Sequence, residues 1–128
     1  MLTELDIREF SLMEHIQLHF SSGMTVFTGE TGAGKSILVN ALSAVFGART
    51  HADWVSHGAK FTELTAVIED DHPALLQLLN EQGMEVSKPL ILRRTVSRDG
   101  RSCAWLNGTP VPLKRLQHAG SICLDIHA

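Results

Sequence analysis

The chain opens with apolar and polar residues in near alternation. Leu2, Leu5, Ile7 and Phe10 are apolar, with Glu4, Asp6, Arg8 and Glu9 among them, which predicts a strand near 2–7. His15-Ile16-Gln17-Leu18-His19-Phe20 alternates more strictly and predicts a second strand with one face in water. Ser21-Ser22-Gly23 reads as a turn and Thr25-Val26-Phe27 as a short buried strand. The period then changes. Ile37, Leu38, Ala41, Leu42, Val45 and Phe46 recur at helical spacing, and Gly47 is a suitable stop.

Beyond Gly47 the pattern predicts smaller elements. Residues 48–60 form a polar loop in which Trp54 is a half-buried packing residue. Phe61 to Asp70 reads as a strand, and Pro73 sits in the first turn of a short helix that Gly83 stops. Leu90 to Val96, Ser102 to Leu106 and Thr109 to Val111 read as strands joined at Asp99-Gly100 and Asn107-Gly108, an antiparallel meander. Pro112 opens a helix over 113–119, with Gly120 as its cap and Ile122 to Ile126 as a last apolar strand.

Between the predicted third strand and the first helix lies Gly29-Glu30-Thr31-Gly32-Ala33-Gly34-Lys35-Ser36, a full match to the phosphate-binding P-loop pattern. Strand, glycine-rich loop, helix is the order this chemistry needs. Gly29, Gly32 and Gly34 permit backbone angles that let N–H groups curl round a phosphate. The helix start adds unsatisfied N–H groups and the positive end of its dipole. Lys35 supplies a point charge for the terminal phosphates of ATP, and the Ser36 hydroxyl is placed for Mg²⁺. Glu30 and Ala33, variable positions of the pattern, contribute backbone only, and Thr31 lies among the residues expected to bind nucleotide. Two strands ahead of the loop point to an α/β P-loop NTPase of the ATP-binding-cassette (ABC) type. Its sheet is mixed, with antiparallel lead-in strands and a β-meander.

Composition narrows the rest. At 128 residues with 44% apolar content, the chain is one domain or part of one. No apolar run approaches a membrane span, and the acidic N-terminus is unlike a secretory signal. Cys103 and Cys123 are read as buried thiols in a reducing compartment. The seven histidines form no ligand-spaced cluster, and His15 and His19 are expected to face solvent on one side of a strand. Net charge is −3, yet residues 88–115 carry Lys88, Arg93, Arg94, Arg98, Arg101, Lys114 and Arg115 against Asp99 alone. That patch suits DNA phosphates, without sequence preference, or else contacts to further protein. A hydrolytic P-loop enzyme also needs a carboxylate that orients water. Asp125 is the late candidate, with Asp70 and Asp71 weaker ones, and no Leu-Ser-Gly-Gly-like signature is present. Half a catalytic site is therefore expected.

Thr-Gly-Glu-Thr-Gly-Ala-Gly-Lys-Ser-Ile-Leu, preceded by Leu-Asp-Ile-Arg-Glu-Phe and followed by Phe-Gly-Ala-Arg, resembles the N-terminus of the RecN family of bacterial DNA repair proteins. That family is related to the structural-maintenance-of-chromosomes (SMC) proteins. The resemblance continues through Arg93-Arg94, Asn107-Gly108 and the closing Leu-Asp-Ile-His. SMC and RecF heads more often place Asn where this chain has Thr31. The resemblance implies the N-terminal lobe of an ABC/SMC-type head over 1–128, with coiled coil and C-terminal lobe elsewhere. It implies ATP and Mg²⁺ on Gly29 to Ser36, and hydrolysis only when a C-terminal lobe and a second head join in a homodimer. It also implies recombinational repair of double-strand breaks on DNA in the cytoplasm, at the nucleoid.

Arg49 falls where SMC-like heads place a conformational arginine, and Arg93, Arg94, Arg98 and Arg101 are candidate DNA or conformational contacts. The same resemblance puts Asp125 in a strand leading to a Q-loop whose glutamine would follow Ala128, so the chain is read as partial. Two other readings stand beside this one: a small P-loop nucleotide kinase, with the 93–101 hairpin as its lid, and a non-hydrolysing interaction module stabilised by nucleotide.

Overall fold

The computed structural model describes residues 2–20, 32–69, 73–81, 83 and 89–126. In chain order these form β1 (Leu2–Phe10), β2 (Met13–His19), α1 (Gly32–Val45), a single 3-10 turn (Ala52–Trp54), β3 (Phe61–Ile68), α2 (Pro73–Glu81), β4 (Leu90–Ser97), β5 (Ser102–Leu106), β6 (Thr109–Val111) and α3 (Leu113–Ile126). The strands make one sheet in the order β2-β1-β3-β4-β5-β6, and every described pairing is antiparallel. The expected turn at 21–23 and strand at 25–27 lie outside the described residues, as do Asp70 and Asp71.

Strand alternation decides which side chains enter the core. Leu5 and Ile7 of β1, Leu64, Ala66 and Ile68 of β3, Leu90 and Leu92 of β4, and Ala104 and Leu106 of β5 are buried on one face. Ala41, Ala44 and Val45 of α1, Leu78 of α2, and Leu116, Ala119 and Cys123 of α3 complete the same cluster. The other face carries Glu4, Asp6, Arg8, Glu63, Thr65, Arg93 and Thr95 beside Val67, Ile91 and Trp105, so the described residues form one sheet with helices on one side. β1 runs past the predicted Ile7 because Glu9 takes a left-handed angle (φ 53°) and Phe10 turns inward, 5.2 Å from the Trp54 ring. Trp54 is half-buried, as its sequence context predicts. The loop that carries it is stitched to the β1–β2 turn: Ser11 N–H donates to Trp54 O (2.6 Å), and the Ser56 hydroxyl donates to Ser11 O (2.7 Å).

The meander follows its turn signals. Asn107 sits at φ 49° between β5 and β6, and its Oδ1 accepts the Ile91 N–H (2.6 Å). At the β4–β5 turn, the Asp99 carboxylate accepts from the Ser97 hydroxyl and from Arg101 N–H. The Ser97 bond first, and then the Arg101 amide, hold the Asp99 carboxyl below its ordinary range.

Two expectations need correction. The chain does not leave a helix at Gly120 to enter a strand over 122–126; α3 runs unbroken to Ile126. Leu116, Ala119, Gly120 and Cys123 are all buried, a stripe at helical spacing that a short apolar run conceals. Gly120 is there because a Cβ would stand 2.2 Å from the Phe46 carbonyl oxygen at the end of α1. It marks a helix–helix contact, not a cap. Asp125 accordingly lies in α3 and not in a strand end. The second correction concerns Cys103, which is exposed, because β5 turns its neighbour Ala104 inward; Cys123 alone is buried, and the two do not form a disulfide.

Candidate nucleotide-binding site

α1 begins at Gly32, inside the P-loop motif. The backbone of Gly32, Ala33, Gly34, Lys35 and Ser36 thus forms the opening of a 14-residue helix. The first N–H groups of such a helix have no partner within it and point out of its end, beside the positive pole of the dipole. Gly29, Glu30 and Thr31 lie outside the described residues, as do the side chains of 32–36. The start of α1 inside the motif fits a phosphate group. Among the described residues there is no cluster of three or more His, Cys, Asp or Glu side chains that could hold a metal.

The far end of α1 is tightly organised. Gly47 N–H donates to Ala44 O (3.0 Å) and Ala48 N–H to Ser43 O (3.0 Å), the paired bonds of a Schellman cap. Gly47 has φ 106°, and a Cβ there would stand 2.7 Å from the Gln117 Cα, so both the angle and the closeness of α3 require glycine. Gln117 donates to Gly47 O (3.0 Å).

The candidate arginines divide sharply. Arg94 is only 1% exposed. Its Nη1 donates to Ala44 O (2.7 Å) and to Ala48 O, and its Nε to the Ser102 hydroxyl (3.0 Å). Burial lowers its pKa from the ordinary arginine value, which still leaves it charged at neutral pH. As a DNA contact Arg94 is ruled out, because its guanidinium is spent inside the fold on neutral oxygens. The sequence held the sign: Arg94 is in phase with Leu90, Leu92 and Val96 on the inner face of β4.

Arg93 is on the outer face, 2.5 Å from Glu63 and stacked 4.2 Å over the Trp105 ring. Arg98 is exposed, but its guanidinium holds Ser56 O and Ala59 O (both 2.6 Å), bracing the 49–60 loop. Arg101 is 85% exposed and pairs with Asp99 at 3.1 Å. Arg49, one residue beyond Ala48, is exposed and makes no hydrogen bond or ion pair among the described residues. Lys114 and Arg115 are exposed at the start of α3, while Lys88 lies outside the described residues. His15 and His19 are exposed, as predicted, and His15 Nε2 lies 2.9 Å from Asp6.

Fold and motif together define an α/β lobe of the P-loop class. The AAA domain family matches residues 4–96, and the chain belongs to that family. The chain is also similar to proteins named DNA repair protein RecN. The Vibrio cholerae protein is 41% identical over 128 residues, covering 99% of this chain and 23% of that protein. The Bacillus subtilis protein is 41% identical over 130 residues, covering 99% and 22%. The chain therefore spans less than a quarter of the length of these relatives.

Among solved structures, an SMC ATPase studied for ATP-driven dimerization and DNA-stimulated activation superposes with a TM-score of 0.75 at 23% identity. That superposition covers 96% of this chain and 79% of the other. The Smc head domain of Pyrococcus furiosus gives 0.78 at 22% identity, covering 94% and 32%. The recombination mediator RecF gives 0.70 at 15%, covering 91% and 29%. These likenesses give the fold: the N-terminal lobe of an ABC/SMC-type P-loop ATPase head. No helix among the described residues is long and apolar enough to cross a membrane.

Proposed function

We propose that this chain is the nucleotide-binding lobe of a RecN-like ATPase that acts in recombinational repair of DNA double-strand breaks. What carries the reading is the start of α1 inside a complete P-loop motif, in a chain that matches RecN along nearly its whole length. Gly29 to Ser36 would hold the triphosphate of ATP through backbone N–H groups and Lys35, and Ser36 would ligate Mg²⁺. Bound Mg²⁺ supplies charge neutralisation at the phosphates. Hydrolysis also requires groups that orient water, which this reading places on a C-terminal lobe and across a homodimer of two heads. Of the candidate cations, Arg49, Lys114 and Arg115 are exposed to DNA phosphates, Arg101 is exposed but paired with Asp99, and Arg93 and Arg98 are engaged within the fold. Such a protein works on DNA in the cytoplasm, at the nucleoid.

The purified 128-residue chain is expected to show no ATP turnover above background. Adding a RecN-type C-terminal lobe should produce turnover, and double-stranded DNA should increase it. Robust hydrolysis by the chain alone would contradict the split-site reading. Phosphate transfer to a nucleoside monophosphate would replace it with a kinase.

A further inference from the structure

We propose that Arg94 is a positioning residue for nucleotide binding: it fixes the far end of α1 and so sets where the phosphate-binding first turn lies. The proposal rests on reading residues 29–36 as the phosphate site.

The last carbonyls of a helix lack partners within it. Here Ala44 O, in the last turn of α1 and also accepting the Gly47 N–H, and Ala48 O, just past the helix end, are both taken by one nitrogen of Arg94, while its Nε is held by Ser102 at the start of β5. A single side chain thus ties the helix end to two strands of the sheet. The charge also lies at the negative pole of the helix dipole, where a cation is favoured. A buried guanidinium with neutral partners is an expensive way to fill space, since an apolar side chain would pack there without desolvating a charge. What it supplies is direction. The core contacts of α1 are the buried Ala41, Ala44 and Val45 and the half-buried Ile37, Leu38 and Leu42, apolar side chains that make no directional bond to the sheet. Arg94 adds hydrogen bonds of fixed geometry, and Gln117 adds one more from α3.

The lever is long. Fourteen residues of helix span about 21 Å, so a tilt of about 5° about the clamped end moves the first turn by about 2 Å. Hydrogen bonds from backbone N–H groups to phosphate oxygens tolerate only a few tenths of an ångström. Loosening the clamp should therefore weaken binding at the opposite end of the helix. Lysine cannot substitute, because it presents a point charge in place of a planar fork that spans two carbonyls and a hydroxyl.

The test is titration of MgATP into the wild-type chain, Arg94→Lys and Arg94→Ala, at a temperature where circular dichroism shows each fully folded. Arg94→Lys is expected to raise Kd about tenfold. Arg94→Ala should lose more, and guanidinium chloride below unfolding concentrations should restore part of it where the same concentration of methylammonium chloride does not. Should Arg94→Ala not fold, Arg94→Lys carries the test alone. Folded Arg94→Lys binding MgATP as tightly as wild type would overturn the proposal and leave Arg94 a brace for stability only. A wild-type chain that binds no MgATP would remove the nucleotide-binding reading itself, a different and separately visible failure.

Discussion

Lys35→Ala is expected to raise the Kd for MgATP by about 100-fold, which is close to 3 kcal/mol, with the fold retained. The size follows from comparing the groups at the start of α1. The helix end contributes about 0.3–1 kcal/mol to an anion there. A hydrogen bond from a charged donor contributes about 1.5–3 kcal/mol, and the lysine adds Coulomb attraction to more than one phosphate oxygen. The lysine therefore dominates, and the remaining N–H groups are left with weak, salt-sensitive binding. Isothermal titration of wild type and variant checks this, with thermal unfolding as the control for folding. Equal affinities would mean that Lys35 does not touch the nucleotide.

Gly120→Ala is expected to lower Tm by about 8 °C. The added Cβ would meet the Phe46 carbonyl oxygen at 2.2 Å and the Phe46 Cα and carbonyl carbon at 2.9 Å, all backbone atoms that cannot rotate away. Forcing α1 and α3 apart costs about 3 kcal/mol, and the better helix propensity of alanine returns about 1 kcal/mol. The net of about 2 kcal/mol, at about 4 °C per kcal/mol for a domain of this size, gives the shift. Ser121→Ala, one position on and exposed, is the control and should leave Tm within about 1 °C. A Gly120→Ala variant as stable as wild type would show that α3 does not pack on the end of α1 as described.

The same glycine shows where the sequence could be misread. Gly120 has the look of a helix stop, and Ile122-Cys123-Leu124-Asp125-Ile126 has the look of a buried strand. Local pattern cannot tell a five-residue apolar run in a strand from one turn of a packed helix. What decides here is a tertiary contact, the approach of the Phe46 carbonyl, which leaves no trace in the residues around Gly120. Strands with strict alternation were legible because each carries its own burial pattern: β3 and β4 alternate without a break, and Asn107-Gly108 names its turn. β1 was legible only as far as Ile7, since a left-handed Glu9 is not a property that sequence announces.

Among the candidate site residues, the motif from Gly29 to Ser36 was legible in full as a pattern, and the structure adds that α1 starts within it. The arginines were legible as a charge excess but not as individuals. Counting charge treats Arg94 and Arg101 alike, although one is buried against helix carbonyls and the other is 85% exposed. Strand phase separates Arg93 from Arg94 and could have been used. The engagement of Arg98 with Ser56 and Ala59 could not, because those residues lie about forty positions away in the chain.

The central claim is that the first turn of α1 holds the phosphates, and amide NMR tests it most directly. The chain is titrated with MgATP and, separately, with magnesium tripolyphosphate. The expected result is that the largest shifts fall on residues 29–36 with both ligands and, in Lys35→Ala, appear only at about 100-fold higher ligand concentration. Shifts confined to the polar sheet face around Arg8, His15 and Lys60, or absent from the motif altogether, would contradict it.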